Sequence, residues 1–481
     1  MNKRTSGILM HISSLPSDYS IGNFGEAAYE AVDVFSACGF SYWQVLPFCM
    51  TDECNSPYKS VSAFAGNPYF IDPEKLYEKG LISLYELESA KQNTPYLCEF
   101  SRLREEREVL LHTAAMRVGD RTEIIDFISS DPRLKRTCEF LALRDANGGK
   151  PWQEWETDKC DTDTLFYHQF VQYEFLNEWH ALKEYANRRG IKIIGDLPIY
   201  VAADSCEVWA NPELFLLDER NRPTAVAGVP PDYFAKDGQL WGNPIYNYER
   251  MSLDGYGWWR DRLDFTLSLF DGVRIDHFRG FEAFWQIPAS AKTAKEGKWV
   301  RGPGRAIVDA LRKVAGDKLI IAEDLGDITD EVRELLKYSG FPGMRVFQFG
   351  FQDNSDSVHL PHNYPSRSVA YTGTHDNNTL LGYVFELAED TRRRVLDYVG
   401  AEGKTFEEGC DSIIRAVMAS AAETVIIPVQ DVLRFGADTR MNTPGSTVSN
   451  WAYRITKKQL LEIPKDKLYR LNSIYFRNNK D

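Results

Sequence analysis

Gly272-Val273-Arg274-Ile275-Asp276-His277-Phe278-Arg279-Gly280 opens as a buried strand and then places Arg274, Asp276, His277 and Arg279 within six positions. Strand alternation puts Arg274 and Asp276 on one face and Ile275 and His277 on the other. A cation two residues from a carboxylate lowers that carboxylate's pKa and keeps it ionised. Taken alone, such a pair reads as a structural ion pair. It becomes a reagent if the strand's end opens on a pocket with partners, so the rest of the chain decides.

Working outward toward the N-terminus, residues 6–16 read as a strand and 25–38 as a helix. That helix has Ala28, Val32 and Phe35 on one face and Gly39 as its stop. Residues 40–48 follow as a second strand, and this β-α-β opening predicts a parallel sheet. A third strand, 191–201, has its apolar run broken by Asp196. Toward the C-terminus, 319–326 ends in Glu323 and Asp324, and 344–351 is apolar. Residues 368–379 end in His375, Asp376, Asn377 and Asn378, and 423–429 form the last strand. Eight strands, mostly with helices between them, predict an α/β fold, a (β/α)8 TIM barrel over one catalytic domain, 1–481.

Two insertions are expected. Residues 50–190 are mainly helical and separate strands two and three. Their aromatic cluster (Trp152, Trp155, Phe166, Phe170, Trp179) has helical spacing and reads as packing. Residues 202–248 read as loop-rich, between strands three and four, and their Trp and Tyr content argues against disorder.

In a barrel of this kind, active sites lie at the C-terminal ends of the strands. Asp196, Asp276, Glu323 and Asp376 all fall at those ends. Like charges gathered in one mouth repel, so the group reads as functional rather than stabilising. Carboxylates without Cys/His ligand spacing leave two chemistries, a hard divalent cation site or glycoside chemistry. Arg274 beside Asp276 favours the second, because a cation on the same face opposes a bound metal. No Gly-rich phosphate loop precedes a helix.

The composition narrows the partners. The 481 residues carry a formal charge of -14, which disfavours nucleic acid and anionic membranes. Aromatics make up 13%, with 11 Trp and 24 Tyr, enough to line a sugar-binding cleft as well as a core. The eight Cys are scattered and read as reduced thiols of a cytoplasmic protein. No signal peptide or membrane-spanning run is evident. His11, His112, His168, His180, His359 and His362 have no constellation around them and read as structural or surface groups.

GVRIDHFRGF (272–281), IAEDLG (321–326) and YTGTHDNNT (371–379) strongly resemble the 4-α-glucanotransferases called amylomaltases or disproportionating enzymes, within the α-amylase clan. SYWQVLPF (41–48), SPYKSVSAFAGNPYFIDP (56–73), GDLPIYV (195–201), GVPPDYFAKDGQLWGNPIY (228–246) and RMNTPG (440–445) resemble the same family. The resemblance runs from about residue 6 to about residue 454. It implies that Asp276 is a nucleophile forming a covalent glycosyl-enzyme, Glu323 the general acid/base, and Asp376 the carboxylate that holds donor hydroxyls. It implies that Arg274 and His375 bind around that sugar, that Tyr58, in a loop with Ser56, is an aromatic platform, and that Asp196 is a neighbouring sugar contact. Asp232, Gln239 and Trp241 match a mobile loop over the cleft, and Asn442 matches the other covering loop.

The implied substrates are α-1,4-glucan donors and acceptors: maltooligosaccharides, starch or glycogen chains, and glucose as acceptor. No metal or cofactor is implied. The physical demands agree. A retaining double displacement needs two carboxyls roughly 5 Å apart, one ionised and one protonated. Glu323, beside Asp324 and near the other carboxylates, is expected to have a raised pKa. A cleft-covering loop that excludes water favours transfer to a glucan hydroxyl over hydrolysis.

Overall fold

In chain order the strands are β1 (Thr5–Leu9), β2 (Tyr42–Gln44), β3 (Lys192–Leu197), β4 (Ala225–Val229), β5 (Gln239–Pro244) and β6 (Gly272–Ile275). They continue with β7 (Ala283–Pro288), β8 (Lys298–Arg301), β9 (Leu319–Ala322), β10 (Gly343–Val346), β11 (Ser368–Tyr371) and β12 (Thr424–Pro428). The computed structural model describes residues 4–231, 236–352, 356–446 and 448–478. Eight strands close into a barrel in the order β1-β12-β11-β10-β9-β6-β3-β2, every pairing parallel. These are the eight strands expected from the apolar runs, and the fold is a (β/α)8 barrel.

The strands are short because each is apolar on both faces only for a few residues. Val273, Ile275, Ile320, Ile321, Val369 and Ile426 are all buried, as parallel barrel strands require. Arg274 interrupts this pattern in the middle of β6. The β3–β6 register sets it directly beside Asp196, so a buried cation enters the barrel already opposite a carboxylate. Next to it, Gly195 is required by space: a Cβ there would lie 2.2 Å from the Phe270 ring.

Between β2 and β3 the chain is helical. The longest helix, Thr162–Arg188, is capped by the Asp161 side chain, which accepts from Asp163 and Thr164. Its Phe175 and Trp179 are buried and meet Phe24 and Phe48 beneath the barrel's entrance strands. Part of the stretch read as loop-rich is β-structure. β4 and β5 join β7 and β8 in a four-stranded antiparallel sheet, ordered β5-β4-β7-β8. The alternation that betrays a strand is blurred there by Gly228, Gly242 and a register shift between Val226 and Gly228. The partner strands lie on the far side of Asp276, so the pairing is not local in sequence.

Candidate active site

β6 ends at Ile275, but Asp276 is still held by the sheet: its N–H donates to Leu197 O (3.0 Å). His277 then adopts a left-handed conformation, φ 50° and ψ 48°. The expectation that His277 shares Ile275's face is corrected here, because alternation stops where the strand does. The left-handed turn aims two successive amides at β9's end. His277 N–H donates to Glu323 Oε2 (2.6 Å), and Phe278 N–H donates to Glu323 O (3.1 Å). In return, Glu323 N–H donates to Ile275 O (3.0 Å). The two carboxylate-bearing strand ends are thus laced together by backbone.

Arg274 has 6% of its side chain exposed. Its Nη1 bonds both Asp196 oxygens (2.8 and 2.7 Å) and its Nη2 bonds Asp276 Oδ1 (2.9 Å). Asp196 also accepts the Tyr58 hydroxyl on Oδ2 (2.7 Å), and its side chain is 0% exposed. The sequence placed Asp196 as a sugar contact. The structure puts it one layer beneath the cleft, with both oxygens engaged by Arg274 and Tyr58. Ser56 accepts from Tyr58 N–H on its Oγ (3.2 Å) and so shapes the turn that presents the ring.

The Tyr58 ring lies flat against His375 (centroids 5.3 Å, 13° between planes) and tilts toward Trp451 (5.7 Å). His375 Nε2 is 3.3 Å from Asp376 Oδ1. Asn442 Nδ2 donates to the same oxygen (2.6 Å), its N–H donates to His375 O (3.1 Å), and Arg440 Nη2 donates to Asp376 O (2.5 Å). Asp376 keeps 43% of its side chain open. Asp276, Glu323, Asp376, Arg274, Tyr58, His375 and Asn442 therefore form one connected network at the barrel mouth.

The electrostatics refine the sequence reading. Burial raises the Asp276 carboxyl to about 6; Arg274 opposes this and does not overcome it. Burial raises Glu323 to about 8, with Arg274 opposing and Asp276 adding. Of the carboxylates expected to raise it, Asp276 contributes more than Asp324, which turns away. Asp324 pairs with Arg345 Nη1 (2.9 Å) and accepts from Met344 N–H (2.6 Å). Glu323 ends above Asp276, so the site holds one carboxyl that keeps its proton and one that loses it first. Burial lowers His375, leaving a neutral imidazole, and raises the Tyr58 hydroxyl well above its ordinary value.

Gln239 and Trp241 lie on β5 rather than in a loop, which corrects the sequence reading. Trp241 Nε1 donates to Gln239 Oε1 (3.1 Å), and its ring meets His277 edge-on at 5.0 Å. Trp241 is therefore one residue removed from Asp276. Asp232 lies outside the described residues. Sequence reasoning missed Trp451, Arg440 and the turn at His277. Arg440 sits in the RMNTPG stretch it had singled out, whereas Trp451 carried no local signal. His11 accepts from Leu46 N–H (3.2 Å), His359 from Val346 N–H (3.1 Å), and His168 Nε2 lies 2.7 Å from Asp145. These are structural contacts. Among the described residues, no three His, Cys, Asp or Glu side chains are grouped to hold a metal ion, and no helix is long and apolar enough to cross a membrane.

The glycoside hydrolase family 77 model, described as 4-alpha-glucanotransferase, matches residues 10–460. The chain belongs to this family. It is 42% identical over 501 residues to the 4-alpha-glucanotransferase of Streptococcus pneumoniae, covering 100% of this chain and 99% of that one. It is 42% identical over 491 residues to the Thermus thermophilus 4-alpha-glucanotransferase, covering 95% and 96%. Among solved structures, the amylomaltase from Streptococcus agalactiae in complex with acarbose superposes with a TM-score of 0.95 at 38% identity, covering 99% of this chain and 100% of that one. The Corynebacterium glutamicum amylomaltase (TM-score 0.82, 18% identity, 99% and 75% covered) shares the fold. As a member of the family, the chain is an enzyme, a 4-alpha-glucanotransferase that transfers α-1,4-glucan segments.

Proposed function

We propose that this enzyme disproportionates maltooligosaccharides, and starch or glycogen chains, by a retaining double displacement through a glycosyl-Asp276 intermediate. The observation that carries the reading is the lacing of Asp276 to Glu323 by His277, with Arg274 fixed on one oxygen of Asp276. Arg274 occupies Oδ1, which leaves Oδ2 to attack the donor's anomeric carbon. As that C–O bond forms, the glycosidic C–O4 bond breaks and Glu323 gives its proton to the departing O4. In the second half, an acceptor 4-hydroxyl loses its proton to Glu323 and attacks the same carbon, which releases Asp276. Glucose or a longer glucan serves as acceptor.

The transition state is cationic at the sugar ring, and the open carboxylate of Asp376 opposes that charge. Its Oδ1 is held by Asn442 and His375, which leaves Oδ2 for donor hydroxyls. Tyr58 offers a ring face beneath the donor and is locked by Asp196 and His375. Trp241, packed on His277, and Asn442, bonded to Asp376, border the sugar subsites. The eight unpaired cysteines support a reducing compartment, the cytoplasm.

Incubation with maltotriose tests the reading. Transfer yields glucose plus a ladder of longer glucans. Glucose and maltose without the ladder would make the enzyme a hydrolase. Activity that vanishes in EDTA would move the chemistry to a metal.

A further inference from the structure

We propose that Arg279 is a positioning residue for Glu323, and that Trp299 on the antiparallel sheet holds Arg279 in place. The proposal rests on the reading of Glu323 as general acid/base. Three successive residues after Asp276 reach the acid/base segment. His277 and Phe278 do so through their amides, and Arg279 through its side chain. Arg279 Nη1 donates to the Asp327 carbonyl and lies 3.5 Å from Asp327 Oδ2.

That contact matters because of what surrounds it. Residues 325–329 follow Glu323 at the rim, and Gly326 and Asp327 are exposed. Among the described residues, the other hydrogen bonds of 325–329 stay local: Leu325 N–H turns back to Glu323 itself, and Thr329 O accepts from Arg333 N–H (3.1 Å) of the helix that follows. Among the described residues, Arg279 supplies the one hydrogen bond between the nucleophile's turn and residues 325–329. Its side chain is 5% exposed although its partner Asp327 is 67% exposed, so a buried cation reaches outward to hold an exposed loop.

Trp299 explains how the guanidinium keeps that posture. Its ring lies 3.8 Å from the Arg279 guanidinium carbon, a stacking distance that also excludes water from the charge. Trp299 is on β8, braced edge-on by Trp285 of β7 at 5.2 Å. The chain leaving β8 presses against the nucleophile's turn. Gly302 N–H donates to Glu282 O (2.6 Å), and a Cβ at Gly302 would lie 2.4 Å from Phe281 O. The sheet is thereby docked on the segment that carries Asp276, and Trp299 caps the cation that reaches across to the Glu323 loop. A planar guanidinium can stack and donate at once; an ammonium donates as a point charge and stacks less well.

A merely structural arginine and a positioning one differ in which donors suffer. The full-length Arg279→Gln, Arg279→Lys and Trp299→Leu variants are compared for kcat and KM on maltotriose and for the first-turnover burst of fluoride from α-maltosyl fluoride, which reports glycosylation alone, with Glu323→Gln alongside. Misplacing the acid by a fraction of a bond length lowers Arg279→Gln kcat on maltotriose on the order of 100-fold, with KM nearly unchanged. The fluoride burst, which needs no acid, falls far less. Arg279→Lys recovers part of the loss, and Trp299→Leu shows the same selective pattern at smaller size. Equal loss on both donors in Arg279→Gln, while Glu323→Gln spares the fluoride, overturns the proposal. So does a Trp299→Leu variant with raised KM on both donors and intact kcat, which would make Trp299 a sugar platform. If Arg279→Gln fails to fold, Arg279→Lys and Trp299→Leu decide. If Glu323→Gln itself loses both donors equally, the acid role fails and the positioning role falls with it.

Discussion

Replacing Asp196 with Asn removes one of the two carboxylates that share the buried Arg274 guanidinium. Arg274 has 6% of its side chain exposed, and Asp196 supplies two of its three carboxylate contacts. Breaking a buried ion pair by removing one partner costs 3–5 kcal/mol; about 3 kcal/mol is the apt figure here, because Asp276 remains on Nη2. A chain of this length unfolds with an entropy of about 1 kcal/mol/K, so the melting temperature falls by about 3 °C.

The same substitution changes the chemistry in the opposite sense. Asp196 is one of the charges that push Asp276 up, and its loss leaves Arg274 facing Asp276 alone. Asp276 must be ionised to attack, so kcat/KM falls as pH drops through about 6 in the parent enzyme. In Asp196→Asn this acid limb moves to lower pH. Thermal melts and the pH dependence of kcat/KM on maltotriose read both effects. An acid limb that stays put or moves up, with an unchanged melting temperature, would refute the view that Asp196 acts through Arg274.

Three further outcomes follow from the same network. On natural glucans the parent enzyme's kcat/KM is bell-shaped, lost below about 6 as the carboxylate pair takes up a second proton and above about 8 as it gives up its last; with an activated fluoride donor the basic limb of the glycosylation step disappears, and its persistence would count against Glu323. Asp276→Asn, with an unchanged circular dichroism spectrum, gives no glycosyl-enzyme adduct with mechanism-based inhibitors in mass spectrometry; a trapped adduct would move the nucleophile elsewhere. The gap between the melting temperatures of Glu323→Gln and the parent shifts in the variant's favour as pH rises. The folded carboxyl lies near 8 against an ordinary 4.5, so unfolding is favoured as pH rises through that window and stability stays lost above it. A gap independent of pH would mean that Glu323 is not held protonated by burial.

Much of this architecture was legible in the chain. The eight barrel strands announce themselves as short apolar runs, and the carboxylates stand where those runs end. That is enough to bring Asp276, Glu323 and Asp376 to one mouth. What was not legible has physical reasons. The antiparallel sheet pairs β4 with β7 across the whole of β6, and no local pattern reports such pairing. His277's left-handed turn follows from the demand of two amides on Glu323, not from a glycine or asparagine that would have flagged it. Asp196 looks like an exposed strand-end acid until register shows Arg274 and Tyr58 covering it. Arg274 next to Asp276 suggests a depressed pKa, but burial depends on everything packed around the carboxyl and wins over one neighbour in sequence. Trp451 meets Tyr58 across hundreds of residues, a contact that only the closed barrel creates.

The pairing of β6 with β9 carries one more consequence. Ile275 stands in register with Ala322, so Asp276 and Glu323 are the next rung of the same parallel ladder. Neighbouring strands in any sheet lie about 4.8 Å apart, close to the roughly 5 Å that separates the two carboxyls of a retaining glycosidase. On the proposed mechanism, the hydrogen-bond repeat of the sheet is the ruler that sets the stereochemical outcome. An inverting enzyme on this scaffold would have to move its second carboxylate one strand further round the barrel, and no change of side chain at Glu323 alone would do that.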